Sequence, residues 1–74
     1  MAQTTLDASG LKCPLPVLRA RKAMKALASG DLLEVLSTDP SSVEDFKNFC
    51  ETTCDTLLES GETAGTYRFL IRKR

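Results

Sequence analysis

Apolar residues recur along this chain at two spacings, and the switches between them mark six elements. A short β-prone run, Thr4 to Asp7, ends in turn residues and predicts a first strand. From about Pro14 to Ala28 the spacing becomes helical, with Val17, Ala20, Met24, Leu27 and Ala28 on one side and Arg21, Lys22 and Lys25 on the other. Ser29 and Gly30 stop it, glycine being the usual left-handed residue after a helix. Leu32 to Ser37 is the clearest strand. A second helix then opens with Asp39 as cap, Pro40 at the first helical position and Glu44 three residues after Ser41, and buries Val43, Phe46, Phe49 and Cys50. The remainder predicts a hairpin, with strands over Thr56 to Ser60 and Thr66 to Lys73 around a loop holding Gly61 and Gly65.

The order β-α-β-α-β-β predicts an α+β fold. A right-handed crossover makes the first two strands parallel and the closing hairpin is antiparallel, so the four-stranded sheet is mixed. Two helices pack most economically on one face, giving a two-layer α/β sandwich with the other face open. Alternation assigns Tyr67, Phe69 and Ile71 to the core and Arg68, Leu70 and Arg72 to the open face; Glu34 places Leu32 and Leu36 there, and Asp55 with Glu59 places Leu57 there. Scattered leucines on an ordinary sheet are the simpler reading of that face, a docking surface the second.

With 74 residues the chain makes one domain, 1–74, near the size where a single core is just sufficient. Its charges sum to zero but are unevenly placed. Between Leu11 and Gly30 every charged side chain is basic: Lys12, Arg19, Arg21, Lys22 and Lys25. From Asp39 to Glu62 acids dominate, Lys47 excepted, and the end is basic again. Such asymmetry steers acidic protein surfaces. Direct nucleic-acid binding is disfavoured by the narrow basic segment and the few aromatics. No secretion signal or membrane span is visible, and an odd number of cysteines, three, suits a reducing cytoplasm better than a disulfide framework.

Chemistry concentrates at "KCPLPV", residues 12 to 17. Pro14 suits a first helical position, because its missing amide hydrogen would have no partner there, and a residue before proline is pushed toward the extended geometry of a cap. Cys13 is thus expected at the N-cap, facing the positive end of the helix dipole, with the Leu15 amide as donor since Pro14 and Pro16 have none. A helix terminus favours a nearby anion by about 0.3 to 2 kcal/mol, which makes Cys13 a poised thiolate. Lys12 and Arg19 add to this if they lie near.

Elimination narrows its use. The chain has no histidine, so a Cys-His hydrolase is excluded, and a motif with one cysteine is not a dithiol oxidoreductase. Three thiols without histidine make no complete zinc site, and no metal is expected. A lone thiol that accepts a group and passes it on survives, and sulfur fits because a persulfide ionises more readily than a thiol. Cys50 reads as packing beside Phe49. Cys54, four residues on, has no assigned role, and the two remain possible redox partners of one another or of Cys13.

The segment "LDASGLKCPLPVLRARKAM", residues 6 to 24, resembles the N-terminal signature of the TusA/SirA-like sulfur carriers, whose hallmark is CPxP; the likeness extends through "SGDLLEVLSTDPSSVEDFKNFC" and "YRFLIRKR". The resemblance implies the same two-layer fold and a sulfurtransferase-type carrier role. Cys13 would bear a covalent persulfide with no separate cofactor. The sulfur would come from a cysteine desulfurase or rhodanese-type donor and go to a downstream acceptor protein. The ends served in the family are tRNA thiolation, molybdenum cofactor supply and dissimilatory sulfur oxidation. Lys12, Arg19, Arg21, Lys22 and Lys25 would guide docking. Where the family often shows Gly-His after the second helix, this chain has Cys54 and Asp55. The alternative is a redox-sensing interaction module in which Cys13 is oxidised or pairs with Cys50 or Cys54.

Overall fold

The computed structural model describes residues 3–12 and 14–74. Strands β1 (Gln3–Ala8), β2 (Leu32–Ser37), β3 (Thr56–Thr63) and β4 (Thr66–Arg72) form one sheet in the order β1-β2-β4-β3, and helices α1 (Leu15–Lys25) and α2 (Ser42–Thr53) cross between its strands. β1 and β2 are parallel, and β4 is antiparallel to both β2 and β3. The expected mixed α+β architecture is therefore present.

The core explains the layering. Leu33 and Val35 of β2 and Phe69 and Ile71 of β4 are fully buried against Ala20 and Met24 of α1 and Phe46 and Phe49 of α2. Phe46 stacks on Phe69 with ring centroids 4.7 Å apart and meets Phe49 edge-on at 6.3 Å. Each helix contributes one apolar stripe, and both stripes land on the same sheet face.

Local details depart from the sequence expectations for identifiable reasons. Helix α1 stops at Lys25, three residues before Ala28, through tight turns in which the Ala26 and Leu27 amides donate to the carbonyls of Ala23 and Met24. Gly30, with φ +88°, serves the turn into β2 and not the helix cap itself. At the start of α2 the cap is Ser41, not Asp39, and Pro40 precedes the helix. The Asp39 carboxylate accepts the Ser41 amide and the Asp39 carbonyl accepts the Ser42 amide, so a turn occupies the place expected for the first helical residue. This start turns Ser42 inward, where its hydroxyl meets that of Ser37 at 2.6 Å, and leaves Val43, expected in the core, exposed.

In the hairpin β3 continues past Gly61 to Thr63, and a two-residue turn, Ala64-Gly65, with positive φ at both positions leads into β4 at Thr66. A bulge between Leu57 and Glu59 corrects the face assignment there. Leu57 pairs with Ile71 and packs on the core, whereas Leu58 is exposed. Leu70, expected outside, does lie opposite Glu34 and Glu59 on the open face, yet is 8% exposed. Arg68 on that face bonds both Glu34, which also accepts from Thr5, and Glu59, and the chains of these long residues screen the leucine between them.

Candidate functional site

The candidate nucleophile, Cys13, lies outside the described residues; its neighbours Lys12 and Pro14 are both exposed. Helix α1 starts immediately after them. The N-cap is Pro14 and not Cys13, with no side-chain cap bond, and the first helical residue is Leu15. The Leu15 amide, expected to face the sulfur, donates to the Lys12 carbonyl at 2.8 Å, and the Leu18 amide donates to the Pro14 carbonyl at 3.1 Å. Pro16 sits inside the first turn, buried, where its missing hydrogen would have had no helical acceptor. What the fold retains of the expected electrostatics is the positive end of an 11-residue helix with no acidic residue in its first turn.

The five basic residues of this segment, Lys12, Arg19, Arg21, Lys22 and Lys25, are all exposed, and no ion pair engages them among the described residues. The one ion-paired cation there is Arg68, on the opposite side of the sheet. Arg68 holds the Glu34 carboxyl below the usual carboxylate range by hydrogen bonding, with Thr5 adding to it.

The sequence did not single out the groove between the helices. It runs from Pro14 past Val17 to Arg21 on the α1 side and is walled on α2 by Asp45, Asn48, Phe49 and Thr52, enclosing about 240 Å³. The available signal was the spacing 45, 48, 49 and 52, a single helical stripe in which only Phe49 is apolar. On the other side of the motif, Lys12 lines a second depression with Gly10, Leu11, Thr38, Asp39 and Pro40. Its floor is tied by the Gly10 amide donating to the Thr38 hydroxyl at 2.9 Å.

The other two thiols separate by environment. Cys50 is buried in the core, and desolvation, with a contribution from Asp55, pushes its thiol up to about 11. It is a packing residue, as expected. Cys54 is exposed and occupies the C-cap of α2 in a left-handed conformation, φ 63°. Both are free thiols, so no bridge joins them.

A basic helix that opens with the last two residues of the CPLP sequence lies on a two-layer β-α-β-α-β-β sandwich. Residues 4–73 match the family described as Sulfurtransferase TusA. The chain belongs to that family. The sulfur carrier protein TusA of Allochromatium vinosum is 54% identical over 68 residues, covering 92% of this chain and 90% of that one. The sulfur carrier protein TusA of Pseudomonas entomophila is 47% identical over 70 residues, covering 95% and 88%. Among solved structures, a SirA-like protein from Desulfitobacterium hafniense superimposes with a TM-score of 0.84 at 31% identity, covering 93% of this chain and 95% of that one. The sequence CPLP occupies residues 13–16, within the matched span, and no helix among the described residues is long and apolar enough to cross a membrane.

Proposed function

We propose that this chain is a sulfur carrier that holds sulfane sulfur as a persulfide on Cys13. Membership of the TusA family over residues 4–73, with the motif cysteine kept in this sequence at position 13, is the observation that carries the reading. The Cys13 thiolate attacks the outer sulfur of a donor persulfide; the new Cys13 persulfide forms as the donor's thiolate leaves. An acceptor thiolate then attacks the outer sulfur, takes it as its own persulfide and regenerates the Cys13 thiolate. No electrons are gained or lost overall, so no separate cofactor is required.

The electropositive start of α1 supports this chemistry by favouring the anionic forms of thiol and persulfide. Lys12, Arg19, Arg21, Lys22 and Lys25, exposed and without ion pairs among the described residues, attract acidic faces of a cysteine desulfurase or rhodanese-type donor and of the acceptor protein. The exposed and unbridged Cys54 fits a reducing cytoplasm.

Intact-mass spectrometry after incubation with a cysteine desulfurase and cysteine tests the reading. The expected result is a gain of one sulfur atom, discharged by an acceptor thiol and absent in Cys13→Ser. A mass loss of two hydrogens under mild oxidant, with no sulfur gained from the donor, would instead assign the chain to redox sensing.

A further inference from the structure

We infer that the groove between α1 and α2 is a dipolar docking site for the partner segment next to the partner's own reactive cysteine, one that carries a basic and an acidic side chain on either side of an apolar one. The inference rests on the carrier reading for its partner and goes beyond a simple basic face. Three observations carry it.

The first is charge. Arg21 projects from α1 and Asp45 from α2 into one groove, and no ion pair joins them to each other or to any other described residue. Opposite charges left unpaired on facing walls are complementary to a ligand of mixed sign, and a uniformly acidic surface drawn to α1 meets repulsion from α2. The wider helical layer repeats the pattern in balance, since Arg19, Lys22 and Lys25 of α1 are exposed, and on α2 the exposed Glu44 and Glu51 outnumber the one exposed cation, Lys47.

The second is the floor. Val17 and Phe49 give the groove an apolar base, with the Asn48 amide and Thr52 hydroxyl at its rim. Its volume of about 240 Å³ suits one or two side chains and not a folded element.

The third is placement. Both helices return from parallel strands and so run in the same direction, which sets Asp45 and Pro14 toward one end of the groove and Arg21 and Thr52 toward the other. Pro14 to Arg21 spans about 10 Å at the helical rise of about 1.5 Å per residue. A partner chain lying along the groove therefore presents its basic side chain to Asp45 at the end attached to Cys13, and its acidic one to Arg21 at the far end.

Amide-resolved NMR titration of the whole protein with three capped pentapeptides tests this: one with arginine and glutamate flanking a central leucine, one with two glutamates, one with two arginines. The mixed-charge peptide should shift the amides of Arg21, Asp45 and Phe49 and bind about 5-fold more tightly than either other peptide, the ratio one exposed ion pair supports. Asp45→Asn should abolish its advantage over the two-glutamate peptide. Equal or tighter binding of the two-glutamate peptide to the unmodified protein would overturn the inference, and so would absence of shifts along the groove with all three. The peptides carry no sulfur, so such a failure leaves persulfide loading of Cys13 standing, and failure of that loading leaves the titration unaffected.

Discussion

Lys73, next to last in the chain, places its Nζ 2.7 Å from the carbonyl oxygen of Met24, forty-nine residues earlier. The same ammonium donates to the Leu27 carbonyl at 2.7 Å. A cation thus fills the carbonyl-rich end of α1 at the point where the chain leaves the helix, while the Lys73 backbone exchanges hydrogen bonds with Gly30 and Asp31. The helix that carries the motif at its start is fastened at its other end by the residue that follows β4.

Lys73→Met keeps the stem and removes both charge-assisted bonds. It should lower stability by about 1 to 2 kcal/mol, measured by urea denaturation, because each bond to a charged donor contributes about 1.5 kcal/mol before the partial exposure of the ammonium is discounted. Lys73→Arg should recover part of the loss, and a variant as stable as the parent would show that the two carbonyls are equally well served by water.

Cys50 yields a prediction in pH. Its thiol is ordinarily at 9.0 and is pushed up to about 11 by burial, so the folded state favours the protonated form. A raised value in the fold means that the contribution is complete below 9.0 and is lost as pH climbs from there through about 11. Cys50→Val, which keeps an apolar side chain of similar size, should flatten the stability profile in that window relative to the parent and leave it parallel at neutral pH. At about pH 8 iodoacetamide should label the exposed Cys54 and spare Cys50 in the native protein.

Cys54 sits where a side chain is unwelcome. Its φ of 63° costs a non-glycine residue about 1 kcal/mol. Cys54→Gly should therefore raise stability by about 0.5 to 1 kcal/mol despite the greater freedom of glycine in the unfolded chain, whereas Cys54→Ala, with the same Cβ, should change it by less than about 0.5 kcal/mol. Thermal denaturation of the two variants side by side decides it, and the opposite order would mean that the cysteine has a structural partner at this turn.

Most of the architecture was legible because the apolar spacing and the layering it imposes are one fact seen twice. Strand β2 begins and ends where its pattern does, at Leu32 and Ser37. The misreadings have local causes that a pattern cannot carry. Leu27 and Ala28 extend the helical spacing of α1, but Lys73 captures the carbonyls of Met24 and Leu27 from across the sequence. One inserted residue at Leu58 turns Leu57 toward Ile71 and defeats strict alternation. Val43 is apolar at a helical spacing, yet the Asp39 turn sets the phase of α2 so that Ser42 points inward to Ser37. At the site, the motif and the basic face of α1 were legible as residues. The groove was not, since it exists only where the 45, 48, 49, 52 stripe of α2 comes alongside Pro14, Val17 and Arg21.

The exposed cations of α1 lead to the last prediction, which concerns rate. Arg21 and Lys22 are exposed and belong to no ion pair among the described residues, so reversing their charge removes attraction without breaking a native contact. Arg21→Glu with Lys22→Glu should leave thermal stability within about 0.5 kcal/mol of the parent. The initial rate of Cys13 persulfide formation from a desulfurase should fall by about 10-fold at low salt, because two attractive charges at the encounter become repulsive. The deficit should shrink as ionic strength rises and the Debye length falls below about 10 Å. A deficit that persists undiminished at high salt would place these residues in short-range contact with the donor, and an unchanged rate at low salt would remove the basic face from docking altogether.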